Sequence, residues 1–324
     1  MRRVLPAVGL FFIAPLVAEF LLGDLPITLL GALVVLAPMY GGGALLIRET
    51  ARRTGRGWPS IVVLGLAYAI FEEAFTTQTL FNPNYLHLNL GLLNHAYIPA
   101  LGIGVWWTVF VLTLHTVWSM SVSIALVEAL VPDRATTPWL GRVGLAVTIL
   151  LFVFGAVAGT LIGYRQDHYL ASTAQFVVAA IACIAAVFMA FRLPRAGSTR
   201  ASGDVPNPWL FGAGALGAGS AFMVIPNTWG WWAVGAYAIL YAVAIAAIAH
   251  WSGRAAWGTR HRLALAGGAA LAYAWHAFVQ TPAVGKAEIS TRIGNAVFAL
   301  GLIVLLGIAA RRCSKIDRLN ADPR

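Results

Sequence analysis

The sequence predicts an all-α polytopic integral membrane protein with about ten transmembrane helices and both termini cytoplasmic. Three observations predict it. Of 324 residues 60% are hydrophobic and only 10% charged, with a mean hydropathy of +0.78, whereas a soluble domain is usually about a quarter charged. Apolar runs of roughly membrane length, about 20 residues, recur along the whole chain, and the basic residues alternate with them in regular order. A water-soluble globule is excluded. No loop is long enough for a separate folded domain, so residues 1–324 read as a single transmembrane domain.

The first run, 4–22, follows Met1-Arg2-Arg3 and at first sight resembles a signal peptide. It contains Pro6, Pro15 and Glu19, however, and continues through Gly23-Asp24 into the next run without a convincing small-residue cleavage site, which makes it an uncleaved span. The later runs fall at 25–47, 59–79, 99–131, 142–163, 172–191, 208–226, 230–249, 262–280 and 293–310, separated by Pro, Gly and charged clusters. Residues 192–207, rich in Pro, Gly, Ser and Arg, form a cytoplasmic linker between six spans (1–191) and four (208–310), and a short basic tail follows at 311–324.

The positive-inside rule sets the orientation. With a cytoplasmic N-terminus, only Arg165, Lys286 and Arg292 of the 22 basic residues fall outside. Tryptophans agree: Trp106, Trp107, Trp229, Trp231 and Trp232 lie near predicted outer ends, and Trp58, Trp139, Trp209, Trp251 and Trp257 near inner ones. The net charge of +10 does not indicate nucleic acid, because these basic residues sit in short loops and make no water-exposed face. Cys183 and Cys313 cannot be read as a disulfide framework.

Repeats are a common transporter design. Leu66-Ala67-Tyr68-Ala69 recurs as Leu271-Ala272-Tyr273-Ala274, each followed by Gln-Thr, but four common residue types match easily by chance and no further match supports a five-plus-five repeat.

Polar residues at membrane depth carry the chemical argument, since a carboxylate there costs about 2.5–3.5 kcal/mol on insertion scales. Glu72 and Glu73 lie about 10 Å below the outer end of the third span at 1.5 Å per residue. On a helix they point about 100° apart, so they can share a polar cavity without sharing one direction. His115 in the fourth span is about 12–13 Å below the Trp106-Trp107 belt, the same level. His276 in the ninth span and Asn295 opening the tenth lie at comparable depth. Converging, these groups would make a proton-transfer or metal site, because neutral imidazole and carboxylate both ligate zinc-like ions and both move protons near neutral pH. Whether a metal or other cofactor is present is not readable from the sequence. Glu19 and Glu128 read as interfacial acids.

The outer loop from Leu80 to Pro99 offers Asn82, Tyr85, His87 and His95 as substrate-binding candidates, as a lid over the acids or an interfacial segment. On the cytoplasmic side Arg48, Arg52 and Arg56 recur at i, i+4, i+8, a face expected to contact anionic lipid, with Glu49 pairing to Arg52 or Arg53. Gly41-Gly42-Gly43 permits close helix approach and lacks the flanks of a phosphate loop. No HExxH, CxxC or GxSxG occurs.

Two adjacent intramembrane glutamates followed by an intramembrane histidine resemble the CPBP family, the membrane-embedded CAAX-type and bacteriocin-processing proteases, whose pattern is EExxxR, FxxxH, HxxxN. Here the first stretch reads Glu72-Glu73-Ala74-Phe75-Thr76-Thr77, with Thr where the family has Arg. The second ends at His115 with Phe110 one position early, and the third has only His276 to Gln280 as a counterpart. The resemblance implies a Glu that activates water for peptide-bond cleavage with His support. The leading expectation is therefore an intramembrane hydrolase acting on a peptide or lipid-linked substrate, with Glu72, Glu73, His115 and His276 as catalytic residues and Asn295 beside Asn82, Tyr85, His87 and His95 in binding. A proton-coupled transporter using the same acids and a non-catalytic assembly protein are the competing classes.

Overall fold

The computed structural model describes residues 4–195 and 201–321, with side chains as far as Lys315. Ten helical segments follow the ten apolar runs: α1 (Leu5–Leu21), α2 (Ile27–Arg53), α3 (Trp58–Thr76), α4 (Val105–Leu130), α5 (Arg142–Asp167), α6 (Thr173–Arg192), α7 (Pro208–Val224), α8 (Trp231–Ser252), α9 (Thr259–His276) and α10 (Ile289–Ala321). Among the described residues seven of these, α2 to α6, α8 and α10, are long and apolar enough to cross a membrane, while α1 and α7 are shorter apolar helices. Three boundaries differ by more than about four residues from the sequence expectation, one of them the end of α10, which runs to Ala321 rather than 310. Helix α2 continues beyond 47 to Arg53, and α4 starts at Val105 rather than 99. Ahead of α4 the chain folds back as a small antiparallel hairpin, β1 (Tyr97–Ile98) on β2 (Ile103–Gly104), turning at Gly102 with φ +65°. Arg2, Arg3, Arg200 and Arg324 of the charge pattern lie outside the described residues, as does the side chain of Arg318.

Helix α4 is the centre of the bundle, because it contributes to both main apolar cores. Leu114, Trp118 and Val122 join Phe222 of α7, Tyr237 of α8 and Tyr273 of α9. Met120, Ile124 and Val127 join Leu10 of α1, Tyr40 of α2 and Tyr68 of α3. The peripheral helices turn large apolar side chains outward, as Leu150 of α5, Ile184 of α6, Val243 of α8 and Ile303 of α10 do. That surface suits a bilayer, where every backbone group is bonded within its own helix and only apolar side chains meet the lipid. Helices α7 and α9 approach backbone to backbone, since a Cβ on Gly268 would fall 2.1 Å from the Gly212 carbonyl oxygen. Small residues at such contacts replace the hydrophobic drive that lipid removes.

Helices α1 and α2 meet in the same way, for a reason visible in the sequence. Pro15 has no N–H to offer the Phe11 carbonyl, and beyond it α1 widens into a π-helical turn over Leu16–Leu21. Pro38 accompanies the same widening over Ala37–Gly41 in α2. There Gly41 lies on Phe11 so closely that a Cβ would be 2.0 Å from its carbonyl oxygen. Gly41→Ala is therefore expected to push the two helices apart and to cost about 1–3 kcal/mol, the usual range for overpacking. Thermal unfolding in detergent checks this, and an unchanged midpoint would contradict the contact.

The arginine-rich end of the bundle corrects the lipid-contact expectation. Arg48 is 0% exposed. Its Nε donates to Glu128 at 3.1 Å, Nη1 to Glu49 at 3.0 Å, and Nη2 to the carbonyls of Arg134, Ala135 and Thr137 at 3.1, 3.0 and 2.9 Å. Its guanidinium also covers the Trp139 ring, 3.3 Å from the centroid. Arg52 grips Glu128 with two bonds, 2.9 and 2.7 Å. Glu128 is thus buried between two arginines rather than interfacial, because the segment after α4 folds back over α2 and seals the pair from solvent. Glu49 pairs with Arg48 and Arg53, not Arg52, and accepts from the Trp139 and Leu140 amides. Arg56 donates to the Leu193 carbonyl, tying α2 to the end of α6.

Candidate functional site

The four π-helical turns among the described residues each carry a member of one polar cluster: Glu19 in Leu16–Leu21, Tyr40 in Ala37–Gly41, Glu72 and Glu73 in Glu72–Thr76, and His115 in Leu114–Val122. A π turn inserts a residue into the helical ladder and re-aims the side chains around it, which is why such turns gather at functional sites. The wider turn also narrows the angle between consecutive side chains, so two adjacent glutamates reach the same histidine.

That histidine is held from both sides. His115 Nε2 lies 2.7 Å from Glu73 Oε1 and Nδ1 lies 3.4 Å from Glu72 Oε2. Ser119, one turn along α4, places its Oγ 3.2 Å from the same Nδ1. The aromatic rings of Tyr40 and Tyr68 flank the imidazole, with centroids 5.6 and 6.4 Å away. Glu72 is 1% exposed, Glu73 3% and His115 7%.

The two carboxylates differ in their partners. Glu73 is fully engaged: Oε1 faces the imidazole, and Oε2 accepts from the hydroxyls of Thr77, at 3.3 Å, and Thr79. Thr79 in turn accepts from Trp107 Nε1 at 3.0 Å, which links the carboxylate to the start of α4. Among the described residues Glu72 Oε2 is buried with no partner in good hydrogen-bond geometry, as are the Tyr68 and Thr116 hydroxyls, although Tyr40 and Tyr68 both come close to the Glu72 carboxylate. Buried polar atoms normally find partners, so an unsatisfied carboxylate oxygen needs an explanation.

Sequence reasoning missed Tyr40 and treated Glu19 as interfacial. Tyr40 donates its hydroxyl to Glu19 Oε1 at 2.6 Å while its ring lies against His115, so Glu19 borders the cluster instead of the headgroups. The readable signal was the pair of prolines, Pro15 and Pro38, inside two otherwise unbroken apolar runs. Just beyond, in the turn between α1 and α2, Gln280 donates to Asp24 Oδ1 at 3.0 Å and to the Leu22 carbonyl at 2.7 Å. Burial, and next the Glu19 carboxyl, push the Asp24 carboxyl up to about 7. Tyr40→Phe is expected to release Glu19 and lower stability by about 1.5–3 kcal/mol, the range for a hydrogen bond to a charged group. Chemical unfolding in detergent measures it, and a change below about 0.5 kcal/mol would remove Tyr40 from the cluster.

Of the remaining sequence candidates Tyr85 stays within electrostatic reach of Glu73, Glu19 and Glu72, and the others bond elsewhere. No hydrogen bond or ion pair among the described residues joins His276 to the glutamates. It ends α9 beside Trp275, 5.7 Å between ring centroids, and its Nδ1 is buried without a partner. Asn295 donates to the Ala277 carbonyl at 2.6 Å and fastens α10 to the end of α9. Equal depth put both near the acids in the sequence reading, but depth fixes only the position along a helix, not which neighbour it faces. The loop residues fasten the chain after α3 onto the end of α5. Asn82 donates to Asp167 Oδ2 at 2.7 Å, the Leu86 amide reaches the same oxygen at 2.9 Å, and His87 Nε2 lies 3.0 Å from the Gln166 carbonyl. Tyr85 opposes Gly163, and His95 meets the edge of Trp106. In this loop Gln78, Leu86, His87, Asn89 and Ala96 all take φ between 51° and 57°. That conformation is costly for side-chain-bearing residues and persists only where the surroundings impose it.

The model of an uncharacterized membrane protein family matches residues 9–315. The chain belongs to this family. No curated protein and no solved structure matches it. Family membership agrees with the multi-pass membrane fold, and no protease family matched. The chemistry therefore rests on the cluster itself: a histidine between two buried carboxylates can relay a proton, hold a water for attack, or bind a cation.

Proposed function

We propose that the protein is an intramembrane hydrolase that cleaves a peptide or lipid-linked substrate at Glu72, Glu73 and His115. The asymmetry of the two carboxylates carries this reading. Glu73, satisfied by Thr77, Thr79 and His115, fixes the imidazole, while Glu72 keeps a bare oxygen 3.4 Å from Nδ1. A positioned base needs such a free oxygen within hydrogen-bond reach of the proton it takes. A water in this gap loses its proton to Glu72 as its oxygen bonds to the substrate carbonyl carbon. The bond to the leaving nitrogen or oxygen then breaks, and the proton returns to that atom through His115. Burial of all three side chains keeps competing water away, which strengthens each electrostatic contact inside.

Hydrolysis in water enriched in oxygen-18 tests the reading. Purified protein in detergent, given an extract of its native membrane, should release carboxylic acid products carrying the heavy isotope without any ion gradient. Glu72→Gln should release them about 10²–10⁴-fold more slowly. Absence of labelled product, together with solute flux into proteoliposomes that follows a pH gradient and disappears in Glu72→Gln, would replace the hydrolase with a proton-coupled transporter.

A further inference from the structure

The geometry points to a divalent transition-metal site in the gap between Glu72 Oε2 and His115 Nδ1, with Glu73 behind the imidazole. This deepens the hydrolase reading and rests on the same side chains: with an ion present Glu72 and His115 would hold it, and the base and relay roles given above are those of the site without one.

Three observations lead there. The first is a charge deficit. Among the described residues the ion pairs of Glu72 and Glu73 are to His115, and Glu19 beside them accepts from a tyrosine. A single imidazolium cannot balance two ionised carboxylates, and a buried charge is kept by pairing or by a metal or else is lost to protonation. The second is the lone-pair arrangement. With Nε2–H donated to Glu73 at 2.7 Å, Nδ1 presents its lone pair toward the bare Glu72 oxygen 3.4 Å away. The Ser119 hydroxyl, 3.2 Å from Nδ1, can satisfy the nitrogen but leaves the carboxylate oxygen without a partner. A cation between them satisfies both. The third is dimension. Ligands about 2.0–2.2 Å from a tetrahedral zinc-like ion lie about 3.3 Å from one another, which the 3.4 Å gap matches. Ligand-type atoms of all three side chains lie within 4.8 Å of one another, Glu73 supporting the ring through Nε2 rather than holding the ion.

Imidazole and carboxylate donors favour zinc-like ions over calcium or magnesium, which prefer all-oxygen sites. The 2.7 Å contact from Glu73 to Nε2 is the outer-shell arrangement in which a carboxylate fixes the ring of a metal-bound histidine and raises its basicity. Catalytic zinc usually has three protein ligands and one open position, so with Glu72 and His115 as the inner ligands water and substrate would fill the remaining positions.

Full-length protein in detergent, stripped with chelator and dialysed against zinc, then separately against cobalt, tests the inference. Wild type should retain one equivalent of zinc, and its cobalt form should show the absorption of a nitrogen- and oxygen-ligated ion. Glu72→Gln and His115→Ala should lose both signals, Glu73→Gln should weaken zinc affinity about 10–100-fold, and His276→Ala should bind as wild type does. Zinc should also raise the thermal midpoint of wild type and leave that of His115→Ala unmoved. Folded wild type that retains no more zinc than His115→Ala overturns the site. The two readings fail separately: hydrolysis that survives complete metal removal sinks the metal site alone, and stoichiometric zinc without hydrolysis sinks the hydrolase alone.

Discussion

Glu72→Gln is expected to reduce turnover about 10²–10⁴-fold, the usual worth of a positioned general base. The substitution keeps shape and hydrogen-bonding capacity but removes the oxygen charge that faces His115 Nδ1 across 3.4 Å. Glu73→Gln should cost less, because an amide can still accept from His115 Nε2 and Thr79 while losing the charge that holds the ring in one orientation. His115→Ala should match the Glu72 variant. Initial rates on the labelled-product assay, normalised to folded protein by size-exclusion profile, give the comparison. A Glu72→Gln variant working within about threefold of wild type would reduce the acid pair to a packing feature.

Glu128→Ala is expected to produce the largest loss of stability, about 3–5 kcal/mol, the cost of breaking a buried ion pair from one side. Removing this carboxylate takes away both short bonds of Arg52, which keeps a 3.4 Å contact to the Arg56 carbonyl and the Trp58 ring 5.8 Å away, and one of the five hydrogen bonds of Arg48. An uncompensated guanidinium then sits inside the bundle. Arg48→Ala should cost a comparable amount through a different route, because it releases the 134–137 carbonyls and the Trp139 ring that seal α2 against the segment after α4. Unfolding in a denaturing detergent series measures both. A change under about 1 kcal/mol would return these residues to the exposed, lipid-facing role their spacing suggests.

Hydropathy made the spans legible because bilayer thickness dictates helix length whatever the tertiary structure. Charge spacing failed at Arg48 and Arg52 for the opposite reason. A periodic face says which residues share a direction, not whether solvent, lipid or another segment lies in that direction, and here residues 131–141 cover it. Glu72, Glu73 and His115 were found because intramembrane charge is expensive and their depths agree. His276 and Asn295 satisfied the same test yet bond elsewhere, since depth carries no information about azimuth or helix neighbours. Tyr40 stayed hidden because a tyrosine in an apolar run is ordinary. It takes part only through the π turns that Pro15 and Pro38 accompany, whose re-aiming of side chains appears once α1 and α2 are packed together.

Glu72 and His115 are expected to act as one unit, and a double-substitution cycle on hydrolysis rate measures that most directly. Groups that work together are strongly non-additive. Glu72→Gln combined with His115→Ala should therefore be no slower than the slower single variant. Rate losses that multiply, so that the double variant falls by the product of the two single factors, would show independent residues and contradict a shared site.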